Sequence, residues 1–212
     1  MKSVLKQKSI LRPNSDGKRE LIIEAALKVM IAEGLYRATT RKIAEAAGLN
    51  LATLHYHFND KEGIFFLAME KLIANYRMAL ADHFAGEQKL HDRIHDLAHF
   101  IWGEIEKNPD EQLALQEMTL YLLRHPDAAP LAKEKDREFL ALYVDILSTA
   151  SDAGSLGKAD ITRLANLIYT GLVGLFNQWL ATRDKAQLLT TLDNLVESAQ
   201  NVASKKPRSQ LS

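Results

Sequence analysis

Cysteine is absent from all 212 residues, which removes disulfides, thiolate zinc sites and a cysteine nucleophile together. That absence fits a reducing cytoplasm, the expected location. No run of about 18 apolar residues occurs, so no segment reads as crossing a membrane. The opening MKSVLKQKSILRPNSDGK is basic but lacks the continuous apolar core of a secretory signal. Catalytic signatures are missing as well: there is no G-x-S-x-G, no H-E-x-x-H, no phosphate-cradling glycine loop and no dinucleotide fingerprint, and Gly154-Ser155-Leu156-Gly157 fits none of these. The expectation is a protein that is not an enzyme, with no catalytic residues and no cofactor.

Net charge is absent only as a total. Residues 1–63 carry 11 Lys+Arg against 7 Asp+Glu, net +4, and residues 204–212 add three basic residues; the 140 between carry 13 against 20, net −7. A basic head on an acidic body is the arrangement expected when only the head meets a polyanion. With 47% apolar residues the chain has ample material for a buried core.

The head is organised around TTRKIAEAAGLNLATLHYHFNDK, residues 39–61. Thr39 or Thr40 can cap a short helix by accepting its unpaired N–H groups, and Ile43, Ala44 and Ala47 would face inward. Gly48 supplies a left-handed stop, Leu49 fills the corner, and Asn50 can cap a second helix from Leu51 to Phe58. Leu54 and Phe58, four apart, suffice to anchor that helix. Its other side chains therefore point outward, and Ala52, Thr53, His55, Tyr56 and His57 suit approach to a phosphate backbone and to base edges. Arg41, Lys42 and Lys61 add positive charge on either side. A helical hairpin with a solvated face is the plain alternative on this local pattern.

The run G-x-x-x-x-T-T-R-K-I-A-x-x-A-G-x-x-x-x-T-L-x-x-H-F-x-x-K-E, from Gly34 to Glu62, resembles the N-terminal domain of the TetR family of bacterial transcriptional repressors. Asn50 stands where Ser is frequent, and His55 where Tyr is frequent. The resemblance implies an all-α fold, a three-helix head with a helix-turn-helix followed by a six-helix body for effector binding and dimerisation. It implies double-stranded DNA with a palindromic operator as partner, a second copy of the chain, and a small-molecule effector that shifts the fourth helix. Thr39, Thr40, Arg41, Asn50, Leu51, Ala52, Thr53, His55, Tyr56, His57 and Lys61 are the expected DNA contacts. The expected division is a flexible basic arm over 1–15, a DNA-binding domain over 16–61, an effector and dimerisation domain over 62–203 and a flexible basic tail over 204–212.

In the body, 3.6-residue periodicity marks helices at about 61–84, 89–107, 109–124, 131–153, 159–182 and 185–203. Asn108-Pro109 separates the second and third of these, and the loop HPDAAP follows the third. Leu113, Leu120 and Tyr121 are its expected inward face. Glu117 on that face, Asn177 further on, and Phe100, Trp102, Tyr121, Phe139, Tyr143 and Trp179 are the side chains from which a mostly apolar effector pocket could be built; a lone carboxylate or amide there either lines a cavity or finds an internal partner. Gly171 and Gly174 cost helix stability unless another helix comes close. Leu164, Ile168, Gly171, Gly174 and Leu175, with Leu188, Leu192, Leu195 and Ala199, are therefore the expected four-helix dimer interface, packing within one chain being the alternative.

His91, His95 and His99 form an i, i+4, i+8 ladder a right angle away from the Leu90/Ile94/Leu97/Ile101 stripe. Two imidazoles one turn apart can hold zinc, but no third ligand is apparent, and a solvated or pocket-lining face is the reading adopted. The function expected is a ligand-responsive repressor. The alternatives are an all-α small-molecule binding protein without DNA binding and a helical enzyme without a recognisable signature.

Overall fold

The computed structural model describes residues 13–126 and 128–204, so the arm expected over 1–15 lies outside the described residues except at its end, and the tail lies outside apart from Ser204. Among the described residues there is no strand and no helix long and apolar enough to cross a membrane. The elements are α1 (Pro13–Glu33), a 3-10 turn (Leu35–Arg37), α2 (Thr40–Ala46), α3 (Leu51–His57), α4 (Lys61–His83), α5 (Leu90–Lys107), α6 (Pro109–Arg124), α7 (Ala129–Ser148), a second 3-10 turn (Ala153–Ser155), α8 (Lys158–Thr182) and α9 (Lys185–Ser204). The all-α expectation holds. Helix α1 starts at Pro13 rather than near Asp16, because proline fits the first helical turn, where no N–H is needed.

The chain divides into two compact units, Met1–Leu72 with Asp110–Ala132, and Ile73–Pro109 with Lys133–Ser212. In contacts, α6 therefore groups with the head. In the first unit α1 buries Ile22, Ala26 and Met30 completely and packs on α2 and α3. Ile43 and Ala44 of α2, Leu54 and Phe58 of α3, and Ile64, Phe65 and Ala68 of α4 complete this core. The Arg19 guanidinium lies 4.8 Å from the Phe58 ring centroid.

Helix α6 is rotated from the expected phase. Leu113 and Leu120 are exposed, at 38% and 60%, and Ala114, Leu115, Met118 and Leu122 are buried instead. The polar residues account for the rotation. Glu117 turns toward the head and accepts a 2.7 Å hydrogen bond from the Leu35 N–H. One turn on, the Tyr121 hydroxyl donates to the Glu62 carboxylate at the start of α4.

In the second unit α8 and α9 pack along their length, and α5 packs on both. Leu90, Ile94, Leu97, Ile101 and Ile105 of α5 are all buried as the periodicity predicts. Arg93 is buried too, at 1% exposure. Its guanidinium donates to the Gly86 carbonyl at 2.6 Å, to Thr149 Oγ1 at 2.6 Å and to the Phe84 carbonyl at 3.4 Å. Helix α7 ends at Ser148, short of the expected Ala153, and Ala153–Ser155 forms a 3-10 turn.

The α8–α9 contact buries most of the residues expected at the dimer interface within one chain. Leu164, Ile168, Leu175, Leu188, Leu192 and Ala199 are each at most 4% exposed within one chain. A Cβ at Gly171 would lie 2.6 Å from the Leu195 side chain. Gly171 thus admits Leu195 of its own chain, with both residues half-buried. Gly174 has nothing within 4 Å of its Cβ direction and lies on the exposed face of α8.

Candidate nucleic-acid interface

The geometry of the helix-turn-helix follows from local chemistry. Thr39 takes an extended conformation and its side chain accepts from the Lys42 N–H at 3.3 Å, capping α2. At the other end Gly48 has φ +66, the left-handed region where a side chain is strained. The Gly48 N–H reaches the Glu45 carbonyl at 3.0 Å and the Leu49 N–H reaches back to the Ala44 carbonyl at 2.9 Å, which satisfies the last carbonyls of α2. Asn50 then caps α3: its side-chain oxygen accepts from the Thr53 N–H at 2.7 Å and from the Thr53 hydroxyl at 2.9 Å. Asp60 caps α4 in the same way, accepting from the Gly63 N–H at 2.8 Å.

With Leu54 at 0% and Phe58 at 5% exposure holding α3 down, the remaining face is open. Leu51, Ala52, His55 and Tyr56 are exposed, Tyr56 at 84%; Thr53 and His57 are half-buried. The His57 imidazole titrates below its ordinary value because burial disfavours the charged ring, with Lys18 and Arg19 adding to the effect. On α2, Thr39 and Arg41 are exposed and Thr40 half-buried. Lys42 is in an ion pair with Glu33.

Lys61 is only half-exposed. Its ammonium lies 5.1 Å from the Tyr121 ring centroid and 5.7 Å from that of Phe65. The Tyr121 hydroxyl is pushed up to about 12, first by burial and then by the Glu62 carboxylate it donates to.

Tyr36 stands outside the expected set of contacts, yet it is 99% exposed beside exposed Arg37, immediately before the α2 cap. Both fill unspecified positions of the motif between Gly34 and Thr39. An aromatic and a basic residue adjoining the two threonines was the signal available.

Of the eight residues expected to line an effector pocket, Glu117 and Tyr121 belong to the first unit and the other six to the second. Glu117 and Tyr121 have partners within the first unit, Leu35 N–H and Glu62. Asn177 is exposed rather than set among apolar groups. Phe100 stacks on His83, with centroids 4.2 Å apart. Trp102 meets Trp179 edge-on at 5.8 Å. Phe139 and Tyr143 both pack on Tyr169, at 6.3 and 5.5 Å, and Tyr76 lies 6.3 Å from Phe139. Buried Lys135, one turn before Phe139, has its ammonium 5.0 Å from that ring and is pushed down to about 8 by desolvation.

The histidine ladder sits on an open groove lined by His91, Asp92, His95, Asp96 and Gln200. Each of two imidazoles faces an adjacent carboxylate, His91 to Asp92 at 3.3 Å and His95 to Asp96 at 3.0 Å, and the rings of His95 and His99 stack at 4.3 Å. Among the described residues no group of three or more His, Asp or Glu is placed to hold a metal ion.

Residues 22–68 match the family model for bacterial regulatory proteins of the tetR family. Over 192 residues the chain is 25% identical to the HTH-type transcriptional regulator TtgR of Pseudomonas putida, covering 85% of this chain and 88% of that protein. It is 23% identical over 123 residues to the HTH-type nicotine-responsive transcriptional repressor HdnoR of Paenarthrobacter nicotinovorans, covering 58% and 63%. The crystal structure of a TetR transcriptional regulator from Rhodococcus sp. RHA1 superposes with a TM-score of 0.66 at 16% identity, covering 91% of this chain and 98% of that one, a likeness of fold.

Proposed function

We propose that this chain, whose residues 22–68 match the family model for bacterial regulatory proteins of the tetR family, is a TetR-family transcriptional regulator, and on that premise a ligand-responsive repressor that releases a palindromic operator when a small molecule binds. The observation that carries the DNA-binding half is the outer face of α3. Leu54 and Phe58 are spent on the core, while Leu51, Ala52, His55 and Tyr56 are exposed on a helix fixed at both ends. A recognition helix needs that rigidity, because base contacts require side chains presented on a fixed backbone.

Arg41, Lys61 and the hydroxyls of Thr39 and Tyr56 are suited to phosphates and to base edges along the same face. The basic head and acidic body favour an approach with the head toward the polyanion. We take residues 16–61 as the DNA-binding domain and 62–203 as the effector-binding and dimerisation domain. Two copies would pair through the faces of α8 and α9 that one chain leaves open, which include Gly174. Pairing sets two recognition helices at the spacing of successive major-groove faces, the geometry a palindrome answers. The effector acts by its differential affinity for two head arrangements; HdnoR, by its name, responds to nicotine.

The test is a gel shift with DNA flanking the protein's own coding region, against scrambled duplex at one salt concentration. Retardation of the native fragment alone is expected. Equal retardation would remove an operator from that fragment, and absent retardation would leave an all-α small-molecule binding protein as the better reading.

A further inference from the structure

The capping of α3 commits the Asn50 side-chain oxygen and the Thr53 hydroxyl hydrogen. The Asn50 side-chain oxygen is already occupied by two donors, Thr53 N–H and Thr53 Oγ1, and the single hydroxyl hydrogen of Thr53 is committed to that bond. A hydroxyl whose hydrogen is used can only accept, so Thr53 as placed has no hydrogen for a phosphate oxygen or for the N7 and O6 acceptors of guanine. The apolar groups of Leu51, 40% exposed, and Ala52, also exposed, stand clear beside this turn, next to the Asn50 amide nitrogen, which the cap does not use. Leu54, at 0%, already anchors the helix. The isobutyl group of Leu51 is therefore held in water by a rigid turn on the side the proposed interface presents to DNA.

In the major groove, thymine is the base whose edge offers a methyl group, and the other edges offer donors and acceptors that an aliphatic side chain would desolvate without replacement. We infer that Leu51, with Ala52 beside it, is a specificity-determining contact that reads the C5-methyl of a thymine in each operator half-site. The inference rests on the DNA-binding reading above and adds the base and the atom that the turn recognises. It differs from hydrogen-bond readout in a way that chemistry can isolate. Deoxyuridine pairs as thymidine does and lacks only that methyl.

The experiment uses the full chain and duplexes recovered from a randomised library by repeated binding and amplification. Each thymidine of a recovered duplex is replaced in turn by deoxyuridine and the dissociation constant measured. One thymidine per half-site should weaken binding about fourfold when its methyl is removed, the value of roughly one buried methyl group. In Leu51→Ala the same replacement should change affinity less than about twofold, whereas Leu51→Met, which keeps an apolar side chain of similar reach, should remain sensitive. If no thymidine is sensitive, or if the sensitivity survives in Leu51→Ala, the inference is overturned while DNA binding stands. If the library yields no preferred duplex, the DNA-binding reading itself fails and takes the inference with it.

Discussion

Glu117 of α6 accepts a 2.7 Å hydrogen bond from the backbone N–H of Leu35, 82 residues earlier in the chain, and its carboxylate lies against Gly34. Gly34 has φ +80, and a Cβ there would come within 3.4 Å of Glu117 Oε2. The carboxylate and the glycine define one joint between α6 and the end of α1. Glu117→Ala leaves a partly buried N–H without a partner and should cost about 1 to 3 kcal/mol. Glu117→Gln keeps an acceptor and should restore most of it. Denaturant unfolding of the three proteins decides; equal stability of Glu117→Ala and the parent would show that water replaces the carboxylate without cost.

Tyr121→Phe tests the second attachment of α6 through its pH dependence. Burial pushes Glu62 upward, but the Tyr121 hydroxyl, the residue's own N–H and Lys61 together hold its carboxyl below the usual carboxylate range. A lowered folded-state value contributes stability above the unfolded carboxylate pKa of about 4.3, and that contribution is lost as pH falls through the folded value. The phenylalanine variant keeps the ring beneath Lys61 and loses only the donor. It should be less stable by about 1 kcal/mol at neutral pH, a value kept low because Glu62 is partly solvated. The difference should shrink between about pH 5 and pH 3. A difference independent of pH in thermal melts would assign the hydroxyl to packing instead.

What was legible in the sequence was what neighbours in the chain decide. Thr39, Gly48 and Asn50 cap and terminate helices through bonds to residues at most five positions away, so spacing alone placed α2 and α3. Helix rotation in the rest of the chain depends on distant partners. Glu117 turns toward Leu35, which rotates Leu113 and Leu120 outward, and nothing near residue 117 in sequence signals that partner. Arg93 is a charged residue in an otherwise polar turn of α5, and its burial depends on carbonyls at Phe84 and Gly86 and on Thr149, 56 residues away. The α8 and α9 leucines carry the same periodicity whether their partner is the same chain or a second copy. Periodicity identifies an apolar face but not its occupant.

Arg41 and Lys42 adjoin one another on α2 and should behave differently on DNA. Arg41 is exposed, while Lys42 is in an ion pair with Glu33. A side chain that releases a counterion from a phosphate contributes about 0.9 to the slope of log K against log salt. Arg41→Ala should flatten the slope by about that much per head if its contact is a phosphate. If Arg41 instead grips a guanine at both its N7 and O6 acceptors, operator affinity should drop by about 1 to 3 kcal/mol with random-duplex affinity largely kept. Lys42→Ala should do neither. Titrations of operator and scrambled duplex at several salt concentrations separate these outcomes, and a Lys42 effect as large as that of Arg41 would remove the ion pair from the explanation.

Gly171 and Gly174, three residues apart in α8, should respond oppositely to the same substitution. Both are glycines in a helix interior, so alanine at either gains about 1 kcal/mol of helix propensity. At Gly171 the new methyl would lie 2.6 Å from both terminal carbons of Leu195, well inside contact distance, and α9 or the Leu195 rotamer must shift to admit it. Overpacking of that kind typically costs about 1 to 3 kcal/mol; because the obstruction is the end of a flexible side chain, the net effect of Gly171→Ala should fall between neutral and about 2 kcal/mol destabilising. Adding Leu195→Ala to Gly171→Ala should relieve the clash, giving a double mutant more stable than the sum of the single effects predicts. At Gly174 the methyl meets nothing within 4 Å, so Gly174→Ala should stabilise an isolated chain by up to about 1 kcal/mol. The same substitution also probes the proposed pairing of copies. If Gly174 faces a closely approaching helix of a second chain, Gly174→Ala should raise the dimer dissociation constant in sedimentation equilibrium even as it stabilises the monomer. A stabilised chain with unchanged association would place the contact between copies elsewhere on α8 and α9.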